Sequence, residues 1–144
     1  MSVTIPELVK MSQAQLDELY CNSPIGEIPN GDSKGTAIVA PGSPVTEGMA
    51  SMIDWLAWQG KVFNREQGFL LNKVTGFGMH LVKAQVYVGE SWLCDGDSII
   101  LDYSKTDIFL AQPIRDEIRE ISPGVYLGNA YWDKTRVLNF VLEF

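Results

Sequence analysis

Alternating apolar and polar residues dominate the later two-thirds of the chain and predict β-strands. The clearest case is residues 136–144, where apolar residues occupy every second position from Leu138 to Phe144. Asp95-Gly96 is a strong hairpin signal between two such segments. Other β-prone runs cover residues 35–40, 61–63, 69–74, 80–88, 98–103 and 125–132. The pattern predicts about seven or eight antiparallel strands.

Helical signals cluster in the first part of the chain. Thr4 followed by Pro6, and Ser12 three residues before Gln15, predict two helix starts. Residues 49–58 have apolar spacings of three and four, which predict another helix that ends near the tryptophan at its last position.

Residues 114–121 predict one short late helix on the surface. Ile114, Ile118 and Ile121 lie four and three residues apart, and the charged residues between them fall largely on the other side. Pro113 is acceptable at a first helical position.

The fold expected from these elements is a single mainly β (α+β) domain over residues 1–144. Sequential hairpins need antiparallel pairing, and a sheet of this many strands tends to close on itself because closure removes its edges. Residues 34–144 are expected to form a closed antiparallel β-barrel. Residues 1–33 are expected to form a helical clasp or lid and a loop outside it.

Composition and charge exclude several classes of protein. Apolar residues make up 46% and charged residues 20% of the chain, as in ordinary globular proteins. The formal net charge is −7 and no run of Lys or Arg is present, which argues against nucleic-acid binding. Signal-peptide and membrane-span patterns are absent from the sequence, so a cytoplasmic protein without a membrane span is expected.

Cysteine, histidine and motif content argue against a bound metal or cofactor. Cys21 and Cys94 lie far apart and fit no metal-binding spacing, so two free thiols in a reducing cytosol are expected. His80 is the single histidine, which makes a transition-metal site improbable. The sequence lacks the P-loop, dinucleotide-binding, serine-hydrolase and zinc-protease motifs, and we therefore expect no cofactor.

Candidate catalytic residues lie around the predicted strand at residues 98–103. Asp102 and Tyr103 point to opposite faces, because neighbours alternate along a strand. An inward Tyr103 would have a buried hydroxyl in need of a partner, and Asp102 would then face outward and pair with Lys105 or an arginine. An inward Asp102 would instead have a raised pKa and serve as a general acid or base. His80 is either a lone acid or base or a structural histidine at a strand start.

Two arginines and several aromatic residues are candidates for contact with a ligand, and Arg119 is also a candidate catalytic residue. Arg115 and Arg119 would be neighbours on one face of the predicted helix, where they could clamp a carboxylate or phosphate or simply form solvated ion pairs. Large apolar side chains with one polar atom are usual both in ligand pockets and in the cores of small barrels; here they are Trp58, Trp92, Tyr126 and Tyr131.

Two parts of the chain resemble known bacterial families. Residues 58–63, Trp-Gln-Gly-Lys-Val-Phe, resemble the WxGKxF core of small GXWXG-type proteins, with Leu56 in place of the first glycine of that pattern. Residues 101–106, 114–120 and 124–128 resemble an uncharacterised bacterial family, a likeness that covers roughly residues 35–144. Both resemblances imply a lipocalin-like (calycin) barrel with an apolar lumen, and neither supplies a catalytic residue.

Three hypotheses of function remain open from the sequence. The first is a barrel that binds a small hydrophobic molecule in its lumen. The second is a cofactor-independent isomerase, cyclase or lyase of secondary metabolism, in which Tyr103, Asp102 or His80 transfers a proton and Arg115 or Arg119 polarises a carbonyl group. The third is a barrel without a ligand that forms a homodimer or binds a partner protein through surface aromatic residues.

Overall fold

Nine strands form one antiparallel sheet in the computed structural model, which describes residues 4–38, 61–73 and 81–144. The strands are β1 (Gly31–Asp32), β2 (Lys34–Ile38), β3 (Lys61–Asn64), β4 (Phe69–Lys73), β5 (Leu81–Glu90), β6 (Asp97–Asp102), β7 (Ile114–Ser122), β8 (Val125–Trp132) and β9 (Thr135–Glu143). Two short helices precede them, α1 (Ile5–Val9) and α2 (Gln13–Cys21), and one 3₁₀ turn spans Phe109–Ala111.

The two edges of the sheet meet at Ser33. In the strand order β1-β3-β4-β5-β6-β7-β8-β9-β2, the outermost strands are β1 and β2, which are separated in the chain by this residue alone. The bent segment therefore pairs with β3 on one side and with β9 on the other. The Ser33 backbone N–H and hydroxyl both donate to the carbonyl oxygen of Lys61, at 3.0 and 2.7 Å. The predicted antiparallel barrel is confirmed.

Both N-terminal helices begin where the sequence predicts. The hydroxyl oxygen of Thr4 accepts from the backbone N–H of Glu7, and Ser12 forms a reciprocal capping box with Gln15. The helices pack on the outer face of the barrel, because their buried apolar residues contact outward-facing residues of β2, β8 and β9. This outer cluster consists of Leu8, Leu16, Tyr20, Ile38, Leu127 and Val141.

A loop over residues 22–30 covers one end of the barrel. Ile25 and Ile28 pack against the interior apolar cluster, and the Ile25 carbonyl oxygen accepts from the backbone N–H of Glu120 at 3.3 Å. The hydroxyl of Tyr126 donates to the carbonyl oxygen of Glu27. The polar backbone of the loop is thus bonded to the rim while its apolar side chains fill the barrel end.

The predicted helix over residues 114–121 is wrong, since this segment is strand β7. Ile114, Asp116 and Ile118 alternate toward the interior, and the strand pairs with β6 on one side and β8 on the other. The four-residue spacing of Ile114 and Ile118 fits both a helix and a strand, and here pairing on both sides decides for the β-branched residues, while Ile121 packs against the outer cluster instead.

The expected free thiols are also wrong, because Cys21 and Cys94 form a disulfide. The bond ties the last residue of α2 to the loop between β5 and β6, across a sequence separation of 73 residues. Neither Cys–Cys spacing nor local pattern could have predicted this pairing.

Two further observations concern the limits of the described chain. No helix in residues 4–38, 61–73 or 81–144 is long and apolar enough to cross a membrane. The predicted helix over residues 49–58 lies outside the described residues.

Candidate functional site

Four polar side chains meet inside the barrel. They are Lys61 on β3, Asn72 on β4, Tyr103 directly after β6 and Asp116 on β7, and none of them exposes more than 4% of its surface. Buried residues of these types are uncommon unless they are paired, and here they adjoin the interior apolar cluster of the described residues. We call these residues the lumen cluster.

Strand alternation directs the lumen cluster inward. Lys61 is two residues from Phe63 and pairs with Asn72, while Phe63 pairs with Leu70, so all four side chains lie on one face. Asp116 occupies the same inner row of β7 as its two isoleucine neighbours. The polar groups are therefore placed by the same periodicity that places the apolar core.

Hydrogen bonds connect the side chains of Lys61, Asn72 and Tyr103 to one another. The Lys61 Nζ donates to Asn72 Oδ1 at 2.6 Å and to the Tyr103 hydroxyl oxygen at 2.8 Å. The Asn72 Nδ2 donates to the same hydroxyl oxygen at 2.8 Å and to the Val82 carbonyl oxygen at 3.1 Å. The lysine amine is consequently held in place by neutral acceptors.

Asp116 is less well satisfied than its neighbours. Its Oδ2 lies 3.8 Å from Lys61 Nζ, which is an ion-pair distance and too long for a hydrogen bond. Its Oδ1 is buried without a hydrogen-bond partner among the residues that the structure describes. A buried carboxylate oxygen in this state has an unused capacity to accept a hydrogen bond.

Burial moves the pKa values of Lys61 and Asp116 toward neutral pH. Loss of hydration lowers the pKa of Lys61 to about 8, against the opposing charge of Asp116. Loss of hydration also raises the pKa of Asp116 to about 6, opposed by Lys61 and Arg115. The pKa of Tyr103 is raised well above its ordinary value, first by burial and then by the charge of Asp116. Both members of the pair can thus change protonation near neutral pH.

A cavity adjoins the Lys61–Asp116 pair. Its volume is about 30 Å³ when measured as room for water-sized molecules, and about 450 Å³ when all space between atoms out to the open mouth is counted. Apolar side chains form most of its wall, chiefly Ile114, Ala130, Trp132, Leu138, Phe140 and Leu142. The site therefore combines one polar pair with an apolar surround.

The structure separates the two candidates that are adjacent in sequence, Asp102 and Tyr103. Tyr103 faces inward and joins the lumen cluster, while Asp102 lies on the outer face opposite Arg115. The Asp102 carboxylate accepts from the Tyr87 hydroxyl at 2.8 Å and from the Ser104 backbone N–H at 2.9 Å. Partial burial alone would raise the pKa of Asp102, but these hydrogen bonds lower it below its ordinary value. Of the two orientations that the sequence left open for Asp102, the structure has the outward one, and a catalytic role of this residue stays a prediction.

Arg115, Trp92 and Tyr131 form a separate cluster on the outer face. The Arg115 guanidinium lies 4.0 Å from the centroid of the Trp92 ring and donates to Glu117 Oε2 at 2.9 Å. The Trp92 and Tyr131 rings meet edge to face at 5.1 Å. Burial, followed by the charge of Glu117, raises the pKa of Tyr131 to about 12. Tyr131 is also among the residues that line the cavity beside Lys61 and Asp116, whereas Arg115 and Trp92 are not. The ligand-binding roles predicted for the three residues stay predictions.

Arg119 lies under α2 on the outer face, away from the lumen cluster. Its guanidinium donates to the carbonyl oxygens of Tyr20 and Cys21, both at 3.3 Å, and of Asp95 at 3.2 Å. It also donates to the hydroxyl oxygen of Ser98 at 3.2 Å. A cation at the C-terminus of a helix satisfies its unpaired carbonyl groups and its dipole. Arg119 is thus placed to anchor the helix.

The remaining predicted site residues lie elsewhere. Tyr126 faces inward toward the end covered by residues 22–30, where its ring meets the ring of Phe144 at 5.5 Å. Burial, followed by the charge of Glu120, raises the pKa of Tyr126 to about 12. His80 and Trp58 lie outside the described residues, so their predicted roles stay predictions.

Comparison with known proteins finds one informative likeness. No protein-family model matches the chain, and no curated protein matches it. A crystal structure described as a protein from Thermomonospora curvata superposes with a TM-score of 0.61 at 18% identity, covering 92% of this chain and 87% of that one. The two chains share a fold. At this identity, nothing about function follows from the likeness.

Sequence reasoning missed Lys61, Asn72 and Asp116 as members of the site. The signal was present as alternation, since each of them is two residues from an inward apolar residue on its own strand. Asp116 was concealed by the helical interpretation of β7, which assigned it to a solvated surface.

Proposed function

We propose that the barrel binds a small, mainly apolar molecule whose single polar group contacts Lys61 and Asp116. The observation that carries this proposal is the buried Asp116 Oδ1, which is unpaired within the described part of the chain and belongs to a residue that lines the cavity. A ligand hydroxyl would donate a hydrogen bond to this oxygen. A ligand carbonyl would instead accept a hydrogen bond from Lys61 or from the protonated Asp116. The topology and the motif resemblance both favour a lipocalin-like barrel.

Cavity size limits what the polar pair can accept. An apolar cavity of about 150 Å³ accommodates benzene, and each water needs about 10–15 Å³ on the same measure. The volume of about 30 Å³ beside Lys61 and Asp116 therefore suits a terminal group of a few atoms rather than a ring. The apolar remainder of the ligand would lie against apolar residues of the wall, such as Ile114 and Trp132. Short-chain alcohols, aldehydes and ketones match this shape.

Solution NMR with matched ligands tests the proposal. We expect butan-1-ol and butan-2-one to shift the amide signals of β3 and β7 saturably, and butane-1-sulfonate, which carries a permanent charge, to shift them much less. Asp116→Asn should weaken butan-1-ol binding about tenfold, since one good hydrogen bond to a charged acceptor is worth about 1.4 kcal/mol or more. Glu27→Gln changes an exposed carboxylate instead and serves as the matched control. Shifts confined to the outer face would overturn the proposal.

A cofactor-free enzyme is the second candidate, because two buried groups have pKa values of about 8 and about 6. Groups that titrate near the working pH are the effective general acids and bases. In this second hypothesis, Lys61 and Asp116 transfer protons in place of Asp102 and His80, the residues suggested by the sequence. Tyr103 remains a candidate for proton transfer. An isomerase, cyclase or lyase acting on a short carbonyl compound fits this chemistry.

Proton exchange distinguishes the two candidates. An enzyme of this kind should catalyse exchange of the α-hydrogens of butan-2-one in deuterated water, and Asp116→Asn should abolish that exchange while the variant still folds. A pure binding protein should bind the ketone without exchange above the buffer rate. Proton NMR of the ketone measures both outcomes directly.

A further inference from the structure

The Lys61 amine has the surroundings of a neutral amine. Within residues 4–38, 61–73 and 81–144, the acceptors of its hydrogen bonds are Asn72 Oδ1 and the Tyr103 hydroxyl oxygen, and both are uncharged. Two donated hydrogen bonds use both hydrogens of a neutral amine and leave its nitrogen lone pair free. Asp116 supplies the one carboxylate within ion-pair distance of it in the described part of the chain, at 3.8 Å, and is not hydrogen-bonded to it. Lys61 also lines the cavity, which places its side chain beside the space that a bound molecule would occupy.

Other lysines of the chain have a different environment. The exposed lysines of the described chain have side chains in water; they are Lys10, Lys34, Lys83, Lys105 and Lys134. Lys61 is 3% exposed and is surrounded by the rings of Tyr103 and Phe140 at 5.4 and 5.7 Å. Burial of an amine favours its uncharged, nucleophilic form.

We infer that Lys61 forms an imine with a small aldehyde or ketone that occupies the cavity. This inference rests on the proposed function and narrows the ligand to carbonyl compounds. The inference is based on the position of two groups that line one apolar cavity. The Lys61 amine has neutral hydrogen-bond partners, and the neighbouring Asp116 carboxyl group has an oxygen without a hydrogen-bond partner among the described residues.

The reaction balances without an oxidant or reductant. The Lys61 nitrogen lone pair attacks the carbonyl carbon, a C–N bond forms, and the carbonyl oxygen takes up a proton as one N–H proton is released. The resulting carbinolamine then loses its hydroxyl group as water, while the nitrogen loses its second proton and the C=N bond forms. Amine and aldehyde thus give one imine and one water, and the reverse reaction hydrolyses the imine.

Asp116 is placed to transfer the protons of this reaction. Its carboxyl group lies on the opposite wall from Lys61 and can donate a proton to the departing hydroxyl and accept one from nitrogen. Of the described residues, Tyr103 is the other titratable group that contacts the Lys61 amine, and it stays protonated because burial raises its pKa. Arg115 acts on Asp116 from the outer face by charge.

Reductive trapping of the wild-type protein tests the inference. The protein is incubated with butanal and cyanoborohydride at pH 7, and peptide mass mapping locates the butyl groups. The neutral fraction at pH 7 is on the order of 10²-fold higher for a lysine of pKa about 8 than for one of pKa 10.5. We expect Lys61 to be labelled at least tenfold faster than any exposed lysine, and butan-1-ol to slow only that labelling.

Variants separate the failure of this inference from the failure of the proposed function. Lys61→Met should remove the fast labelling, whereas Lys83→Met, which removes an exposed lysine over the Phe69 ring, should leave it unchanged. Asp116→Asn should slow labelling at neutral pH and shift its pH profile downward, because loss of that charge lowers the pKa of Lys61 further. If the Lys61 variant does not fold, the wild-type peptide map and butan-1-ol competition decide alone.

Two negative results have different meanings. Binding of butan-1-ol together with butanal labelling only at exposed lysines would overturn the imine and leave the binding function standing. Absence of binding by butan-1-ol, butan-2-one and butanal alike would overturn both.

Discussion

Lys61 Nζ and Asp116 Oδ2 face each other at 3.8 Å across the barrel interior, from strands that are not neighbours in the sheet. Both residues are almost fully buried. Removing two charges from water costs several kcal/mol per ion, and a pair at this distance recovers only part of that loss. The pair therefore contributes little net stability to the fold. The proposed function better explains why an amine and a carboxyl group face a cavity.

Removal of one partner should destabilise the protein strongly, while removal of both should not. Asp116→Leu leaves Lys61 buried beside no carboxylate, and we expect it to lower the free energy of unfolding by about 3–5 kcal/mol at pH 7. Lys61→Met with Asp116→Leu replaces the pair by apolar side chains and should recover most of that loss. Urea denaturation of the two single variants and the double variant gives the coupling energy.

An exposed ion pair provides the control for this cycle. Arg65 and Glu27 are 3.2 Å apart, but their side chains are 44% and 75% exposed. Glu27→Gln should change stability by no more than about 0.5 kcal/mol. Equal effects at the buried and exposed pairs would show that Lys61 and Asp116 are solvated in solution.

Stability should decline as pH rises from about 4 to about 6, through the titration of Asp116. Burial raises the pKa of Asp116 from 3.8 to about 6, so in this window the folded protein holds a proton that the unfolded chain has released. Folding then takes up a proton and is favoured by acid, with a total effect of about 3 kcal/mol. The difference in urea midpoint between wild type and Asp116→Asn, measured across this range, isolates the effect from other carboxylates.

The titration of Lys61 should change stability in the opposite direction, in a separate pH range. Burial lowers its pKa from 10.5 to about 8, so between these values the unfolded chain holds a proton that the folded protein has released. Stability should therefore rise with pH through that window. A flat difference between wild type and Lys61→Met from about pH 8 to pH 10 would contradict the buried, uncharged lysine.

The barrel was predictable from the sequence because its signals are local. Alternation in β9, turn formers between β-prone runs and the Asp95-Gly96 turn each act over a few residues, and sequential hairpins leave few topologies. The N-terminal helix starts were predictable for the same reason, since the Ser12 capping box is a short-range hydrogen-bond pattern.

The site was much less predictable, since it depends on which face each strand presents. Asp116 faces the lumen because β7 is a strand, and the isoleucine spacing around it fits a helix equally well. A polar residue between apolar neighbours on a strand does not reveal whether its face is core or surface until the partners are known. Cys21 and Cys94 illustrate the same limit, because only the packing of α2 brings them together.

Arg119 should matter for stability and not for ligand binding. Arg119→Lys loses the planar set of donors to Ser98 and to three backbone carbonyl groups, and we expect a loss of about 2–3 kcal/mol. Butan-1-ol affinity should be unchanged, because the residue lies on the outer face. Arg65→Lys, at a half-exposed side chain, is the matched control. Loss of affinity with unchanged stability would restore the binding role that the sequence suggested.

Reduction of the disulfide between Cys21 and Cys94 should destabilise the barrel and release α2. A cross-link that closes 73 residues restricts the unfolded chain, and the chain-entropy argument gives about 4 kcal/mol as an upper value. Urea denaturation with and without reductant, and of the Cys21→Ser/Cys94→Ser variant, measures the loss. Hydrogen exchange should increase first in α2, because the helix loses its disulfide tie to the barrel and keeps only non-covalent contacts, such as the outer apolar cluster and the ion pair between Asp17 and Arg136. Detection of two titratable thiols in the folded protein without reductant would contradict the disulfide. It would support the reducing compartment that the sequence predicts.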